Sequence, residues 1–141
     1  MQKNIDAVQA IYAAFGRGDI PEILEALADD VAWESWRHNF AQEAGVPWMK
    51  ALKGRRAVGE FFRVISEFNF TKFNVLSVLA GGDQVAAEVE VAAEVPTTGG
   101  SFAEEEMHLW TFNDRGQVTR FRHYLDTAKH MAVAKGQKTD K

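Results

Sequence analysis

Residues 108–126 read HLWTFNDRGQVTRFRHYLD. Two runs rich in aromatic and β-branched residues flank NDRG (113–116), and Asn, Asp and Gly are turn formers. The pattern predicts a hairpin of strands 102–112 and 117–126. Side chains alternate across a strand. Glu104, Glu106, His108, Trp110 and Phe112 therefore share one face, and Thr119, Phe121, His123 and Leu125 share another. A four-residue loop pairs 112 with 117, which sets Glu106 across from His123 and His108 across from Phe121. A three-residue loop would instead place Arg122 opposite His108. In the four-residue register both sets lie on one concave face, and Asp126 points outward with Arg122 and Tyr124.

Upstream of the hairpin, residues 70–80 end at a GGD turn cue, and QVAAEVEVAAE (84–94) alternates strictly. Val85, Ala87, Val89 and Val91 take one face of that strand, Glu88 and Glu90 the other. The first half carries helical spacing. Ile5, Val8, Ile11, Tyr12 and Phe15 repeat every three to four residues, and GRGD follows to end the helix. Asp19 with Glu22 three residues on caps a second helix, whose stripe is Ile23, Leu24 and Leu27. VAWESW (31–36) reads as a short strand and 37–53 as a long loop. A third helix spans about Arg55 to Phe68, with Val58, Phe61, Phe62, Ile65 and Phe68 on its apolar face. Helices first and a four-strand antiparallel meander afterwards define an α+β layout with the helices on one sheet face.

The composition bounds the function. A chain of 141 residues, 46% hydrophobic and 26% charged, is a single globular domain. We expect an ordered core over about 4–128 and a polar, frayed C-terminal tail. The net charge of −4, with no Lys/Arg block, argues against nucleic acid. The absence of cysteine excludes disulfides, thiolate metal sites and a Cys nucleophile. MQKNIDAVQA has no apolar signal core and no run is long enough to span a membrane, so a soluble cytoplasmic protein is expected.

IYAAFGRGDIPEILEALADDVAWE (11–34), GRRAVGEFF (54–62) and HLWTFNDRGQVTRFRHYLD resemble the SnoaL-like group of nuclear transport factor 2-like proteins, over roughly residues 4–128. The resemblance implies a cone. A strongly curved, mainly antiparallel sheet wraps the three helices of the N-terminal half around an internal, mostly apolar pocket. Relatives include ketosteroid isomerase, limonene epoxide hydrolase, scytalone dehydratase and polyketide cyclases, beside non-catalytic binding and dimerisation modules. The ketosteroid isomerase base position falls on Ser35, and its oxyanion-hole tyrosine position on Ile11. The Arg/Asp pair of limonene epoxide hydrolase falls on Val89 and Val91, and its other aspartate on His123. That enzyme's pocket tyrosine and asparagine match Trp33 and Ser35. The resemblance thus fills the pocket positions with different chemistry.

Alternation and resemblance together nominate His123 as an acid–base group, oriented by Glu106 and assisted by His108. Histidine titrates near neutral pH, and a carboxylate partner fixes its tautomer. Trp33, Ser35, Val89, Val91, Trp110 and Phe121 are the expected ligand wall. No metal is expected, because two histidines and two glutamates on one face carry no HExxH-type spacing. His38 is read as solvated, and His130 lies in the tail. Trp36, Phe40, Trp48 and Met49, on or beside the 37–53 loop, are read as a lid or a dimer contact. The expected protein is a homodimer binding a small, largely apolar organic ligand. If catalytic, it performs cofactor-free isomerisation, dehydration, hydrolysis or cyclisation; otherwise it is a binding or dimerisation module.

Overall fold

The computed structural model describes residues 1–33 and 36–141. Its elements run α1 (Gln2–Arg17), α2 (Ile20–Glu25), β1 (Leu27–Trp33), α3 (Phe40–Glu43), a 3-10 turn (Pro47–Met49), β2 (Leu52–Lys53), α4 (Arg55–Ile65), β3 (Asn69–Gly81), β4 (Gln84–Val95), β5 (Gly100–Phe112), β6 (Val118–Tyr124) and α5 (Thr127–Ala134). The strands form one open sheet in the order β2-β1-β6-β5-β4-β3. β3 to β6 are the expected meander, and β1 joins it in parallel beside β6. No helix is long and apolar enough to cross a membrane among the described residues.

Local chemistry accounts for the helix ends. Gly18 takes the left-handed conformation (φ 72°) past α1, and its N–H bonds back to that helix. The Asp19 side chain accepts from the Glu22 N–H and starts α2. Helix α2 stops at Glu25, so Leu27 is not the last turn of its stripe: it opens β1, paired with Val118. The expected loop at 37–53 holds a four-residue helix capped by Asn39, the 3-10 turn and β2. In that segment Trp48 and Met49 are buried while Phe40 is exposed, so the first two are core and not lid.

The helices pack on one face. Val8, Ile11 and Ala14 of α1, Ile23 of α2, and Val58 and Phe62 of α4 share a core with Trp33, Trp110, Phe112 and Phe121. A second cluster joins Trp48 and Met49 to Val89, Val91, Phe102 and Val133. On the opposite face Glu88 accepts from Ser77, and Glu90 accepts from Asn74 and pairs with Lys72. Exposed pairs of this kind contribute little individually.

The tail is ordered where fraying was expected. Asp126 points outward and caps α5 by accepting the Lys129 N–H. His130 and Val133 of that helix are buried. Gly100 lets α5 lie against the start of β5: a Cβ there would sit 2.4 Å from the Val133 carbonyl oxygen and 2.9 Å from its Cα. Backbone on one side and strand on the other leave that contact little room to relax. Gly100→Ala should therefore lower the Tm by about 5–10 °C and raise amide exchange in α5. Gly16→Ala, where nothing lies within 4 Å of the added carbon, should be neutral or slightly stabilising in the same melting experiment.

Candidate functional site

The β5–β6 register decides what meets what. Asn113 closes the turn by accepting the Arg115 and Gln117 N–H groups on its side-chain oxygen. The loop therefore takes in Gln117, and Phe112 pairs with Val118. An irregularity follows, so that Thr111 faces Arg120, Trp110 faces Phe121 and His108 faces His123. At the turn the three-residue register holds, with Asn113 N–H on the Gln117 carbonyl and Phe112 on Val118, but past the irregularity neither expected register does, and Glu106 is not across from His123. The true pairing differs from the four-residue reading by two positions. An even slip keeps every side chain on its face, so the expected facing of Glu106, His108, Trp110, Phe121 and His123 survives.

These residues border a cavity of about 100 Å³. Its wall is aromatic: Trp33 stacks on Phe121 with ring centres 4.1 Å apart and meets Phe61 and Phe62 at 5.6 Å. Among the expected wall residues, Trp33, Val91, Trp110 and Phe121 border the cavity. Val89 is fully buried but does not reach the cavity. Ser35 lies outside the described residues.

The polar end is built from two chains of hydrogen bonds that both begin at an indole. Indole N–H is only a donor. Trp110 Nε1 donates to the Tyr12 hydroxyl at 3.1 Å, and that hydroxyl lies 2.7 Å from His108 Nδ1. His108 Nε2 is 2.9 Å from Glu106 Oε1. With a carboxylate at Nε2 the proton belongs there, so Nδ1 accepts from Tyr12. In the second chain Trp48 Nε1 donates to His130 Nδ1 at 2.9 Å. His130 Nε2–H then donates to Glu104, 2.6 Å from Oε1 and 3.1 Å from Oε2. Its Nε2 stands 3.8 Å from Glu106 Oε2, beyond hydrogen-bond length.

Burial acts on all four titratable groups with resolved shifts here. It pushes the Tyr12 phenol well above its ordinary value. It raises the Glu104 carboxyl, which the His130 hydrogen bond only partly offsets. Burial would raise Glu106 too, but the His108 hydrogen bond and the surrounding imidazoles outweigh it and hold that carboxyl below the usual range. His123 is pushed down to about 3, first by burial, with Glu106 opposing and the other two imidazoles adding to the fall. No hydrogen bond reaches either ring nitrogen of His123 among the described residues. The Trp33 indole N–H is buried without an acceptor among the described residues.

Oxygen and nitrogen atoms of Glu104, Glu106 and His130 lie within 4.8 Å of one another. The donor set does not fit a metal. The lone pair of His130 in its neutral form is on Nδ1 and is taken by Trp48, while Nε2 carries the proton given to Glu104. An ion at Nε2 would have to break the indole bond.

Sequence reasoning missed Tyr12, Trp48, Glu104 and His130 as parts of this assembly. Tyr12 was legible as an apolar stripe member only, since its hydroxyl partners are 96 and 98 residues away. His130 carried no signal, because its partners sit on β5 and on the 3-10 turn.

An open sheet with helices packed on one face over an aromatic cavity defines the nuclear transport factor 2-like class of α+β domain. Residues 8–121 match the model of the SnoaL-like domain family, and the chain belongs to that family. Among solved structures it is similar to an NTF2-like protein of unknown function from Burkholderia pseudomallei, at 23% identity and TM-score 0.80, covering 95% of this chain and 98% of that one. A second NTF2-like protein, from Burkholderia xenovorans, gives 23% identity and TM-score 0.80 over 95% and 97% of the two chains. A protein from Xanthomonas campestris described as a candidate polyketide cyclase gives 26% identity and TM-score 0.74 over 94% and 97%. No curated protein sequence matches the chain.

The depressed His123 makes a pH test. An unfolded histidine takes its proton near 6.5, whereas the folded one takes it only near 3. Unfolding then binds a proton between those values, so His123 lowers stability progressively as pH falls from about 6.5 towards 3. NMR titration should show a neutral His123 ring down to pH 5, and His123→Phe should flatten the acid limb of the stability curve.

Proposed function

We propose that this SnoaL-like domain binds a small, largely apolar organic molecule and moves a proton on it without a cofactor. The observation that carries the reading is Glu106, a buried carboxylate at the polar end of an aromatic cavity, with one oxygen pinned by His108 and the other without a hydrogen bond among the described residues. Such a group is desolvated and fixed in direction, which suits a general base. The three nominated residues then divide the work differently from the sequence expectation. Glu106 accepts the proton. His108, with both ring nitrogens engaged by Tyr12 and Glu106, is a positioning residue. His123 is too weak a base near neutral pH and instead hydrogen-bonds the ligand atom where charge develops.

Isomerisation, dehydration and cyclisation all use such a step. Solvent-deuterium uptake into a panel of small cyclic ketones, followed by proton NMR, tests it. Glu106→Gln should slow exchange by about 10²–10⁴-fold, with the fold intact by circular dichroism. Exchange no faster than in buffer, or unchanged by Glu106→Gln, would leave the non-catalytic binding module as the reading.

We also infer a homodimer through the outer sheet face, where exposed Leu79 and Met107 lie among Glu88 and Glu90. Sedimentation equilibrium should give twice the chain mass, and Leu79→Glu should shift it towards the monomer.

A further inference from the structure

Among the described residues, His123 is the one histidine of the polar end whose ring nitrogens no protein group engages. His108 spends both on Tyr12 and Glu106, and His130 spends both on Trp48 and Glu104. His123 borders the cavity, is more than nine-tenths buried, and has aromatic neighbours: Phe121 at 5.5 Å and Phe61 at 6.0 Å. A buried polar group without a partner is costly unless something else supplies the bond. The unpaired Trp33 N–H belongs to the same wall, across the Phe121 ring.

Size and charge narrow what can supply that bond. The cavity holds about 100 Å³, somewhat less than the ~150 Å³ engineered cavity that takes benzene. One six-membered ring is the natural limit. No Lys or Arg borders the cavity among the described residues, so an anion would meet the Glu106 carboxylate with no counterion. An ammonium would pair with Glu106, but among the described residues its three N–H donors meet two free side-chain acceptors, Glu106 Oε2 and one His123 nitrogen, and one N–H stays unsatisfied. A neutral imidazole offers one donor and one acceptor, which a hydroxyl or carbonyl oxygen satisfies.

We propose that the site takes a neutral, single-ring molecule bearing one hydroxyl or carbonyl oxygen, its ring against Trp33, Phe61 and Phe121 and its oxygen on the His123 imidazole. The assignment rests on the ligand-binding reading above and names its ligand class. The depressed basicity of His123 agrees with it, since a ring kept neutral retains both its donor and its acceptor.

Four probes of similar size test it by calorimetry at pH 7: phenol, toluene, benzoate and benzylamine. Phenol should bind at least tenfold more tightly than toluene, and benzoate and benzylamine more weakly than phenol. His123→Phe should reduce phenol affinity about tenfold and leave toluene unchanged, and His123→Leu should repeat the result if the larger ring perturbs the fold. The wild-type ratio needs no variant. Toluene binding as tightly as phenol would overturn this ligand class while leaving an apolar binding site intact. So would tighter binding of either charged probe, or a phenol preference that survives both variants. Failure of all four probes to bind would overturn the ligand-binding reading together with this one.

Discussion

The pairing of β5 with β6 is the constraint on which the rest of the molecule depends. His108 opposite His123 and Trp110 opposite Phe121 put two imidazoles and two large rings on one face within a few residues. β1 then pairs in parallel with β6, so that Trp33 falls beside Phe121 and the rings stack. Helices α1, α2 and α4 can cover this face only by packing on those rings. The cavity is what remains between them. A one-residue slip of β6 would turn Phe121 and His123 to the outer face while His108 and Trp110 kept theirs.

Electrostatics follow from the same geometry. Two adjacent same-face residues of β5, Glu104 and Glu106, are buried close together, a situation that ordinarily forces one carboxyl to keep its proton. The indoles of Trp110 and Trp48 resolve the arrangement, because a donor-only group at one end of a hydrogen-bond chain fixes the direction of the whole chain. Each chain ends with an imidazole N–H on a different carboxyl. The outcome is a lowered Glu106 beside a raised Glu104. Splitting a pair in this way is how one site comes to hold an acid and a base at the same pH. Among the described residues, His123 lies outside both chains.

Much of this architecture was legible in the chain. The strict alternation of residues 84–94 and the NDRG turn located the meander and the shared face of Glu106, His108 and His123, while the helical spacing of Ile5 to Phe15, the Asp19 cap and the apolar face from Val58 located α1, α2 and α4. The register was not legible, since it turned on Asn113 drawing Gln117 into the loop and on an irregularity near Thr119. Sequence shows which residues favour a turn. It does not show how many of them the turn will use when a side chain satisfies the backbone. The exchange of partners left His123 facing His108 and not Glu106, and under the proposed function the role of base accordingly falls to a glutamate and not to a histidine.

The sequence by itself determined periodicity, and with it the fold class, the side of the sheet each residue takes and the absence of thiol chemistry. These are local properties: an alternating strand has two faces whatever it packs against. Only the tertiary structure decided that the C-terminal segment is a helix seated on Gly100, that Trp48 is core, and that His130 reaches Glu104. Those contacts join positions 26 to 82 residues apart. No periodicity encodes them, because their strength depends on burial that exists only once the sheet and helices have closed over the site.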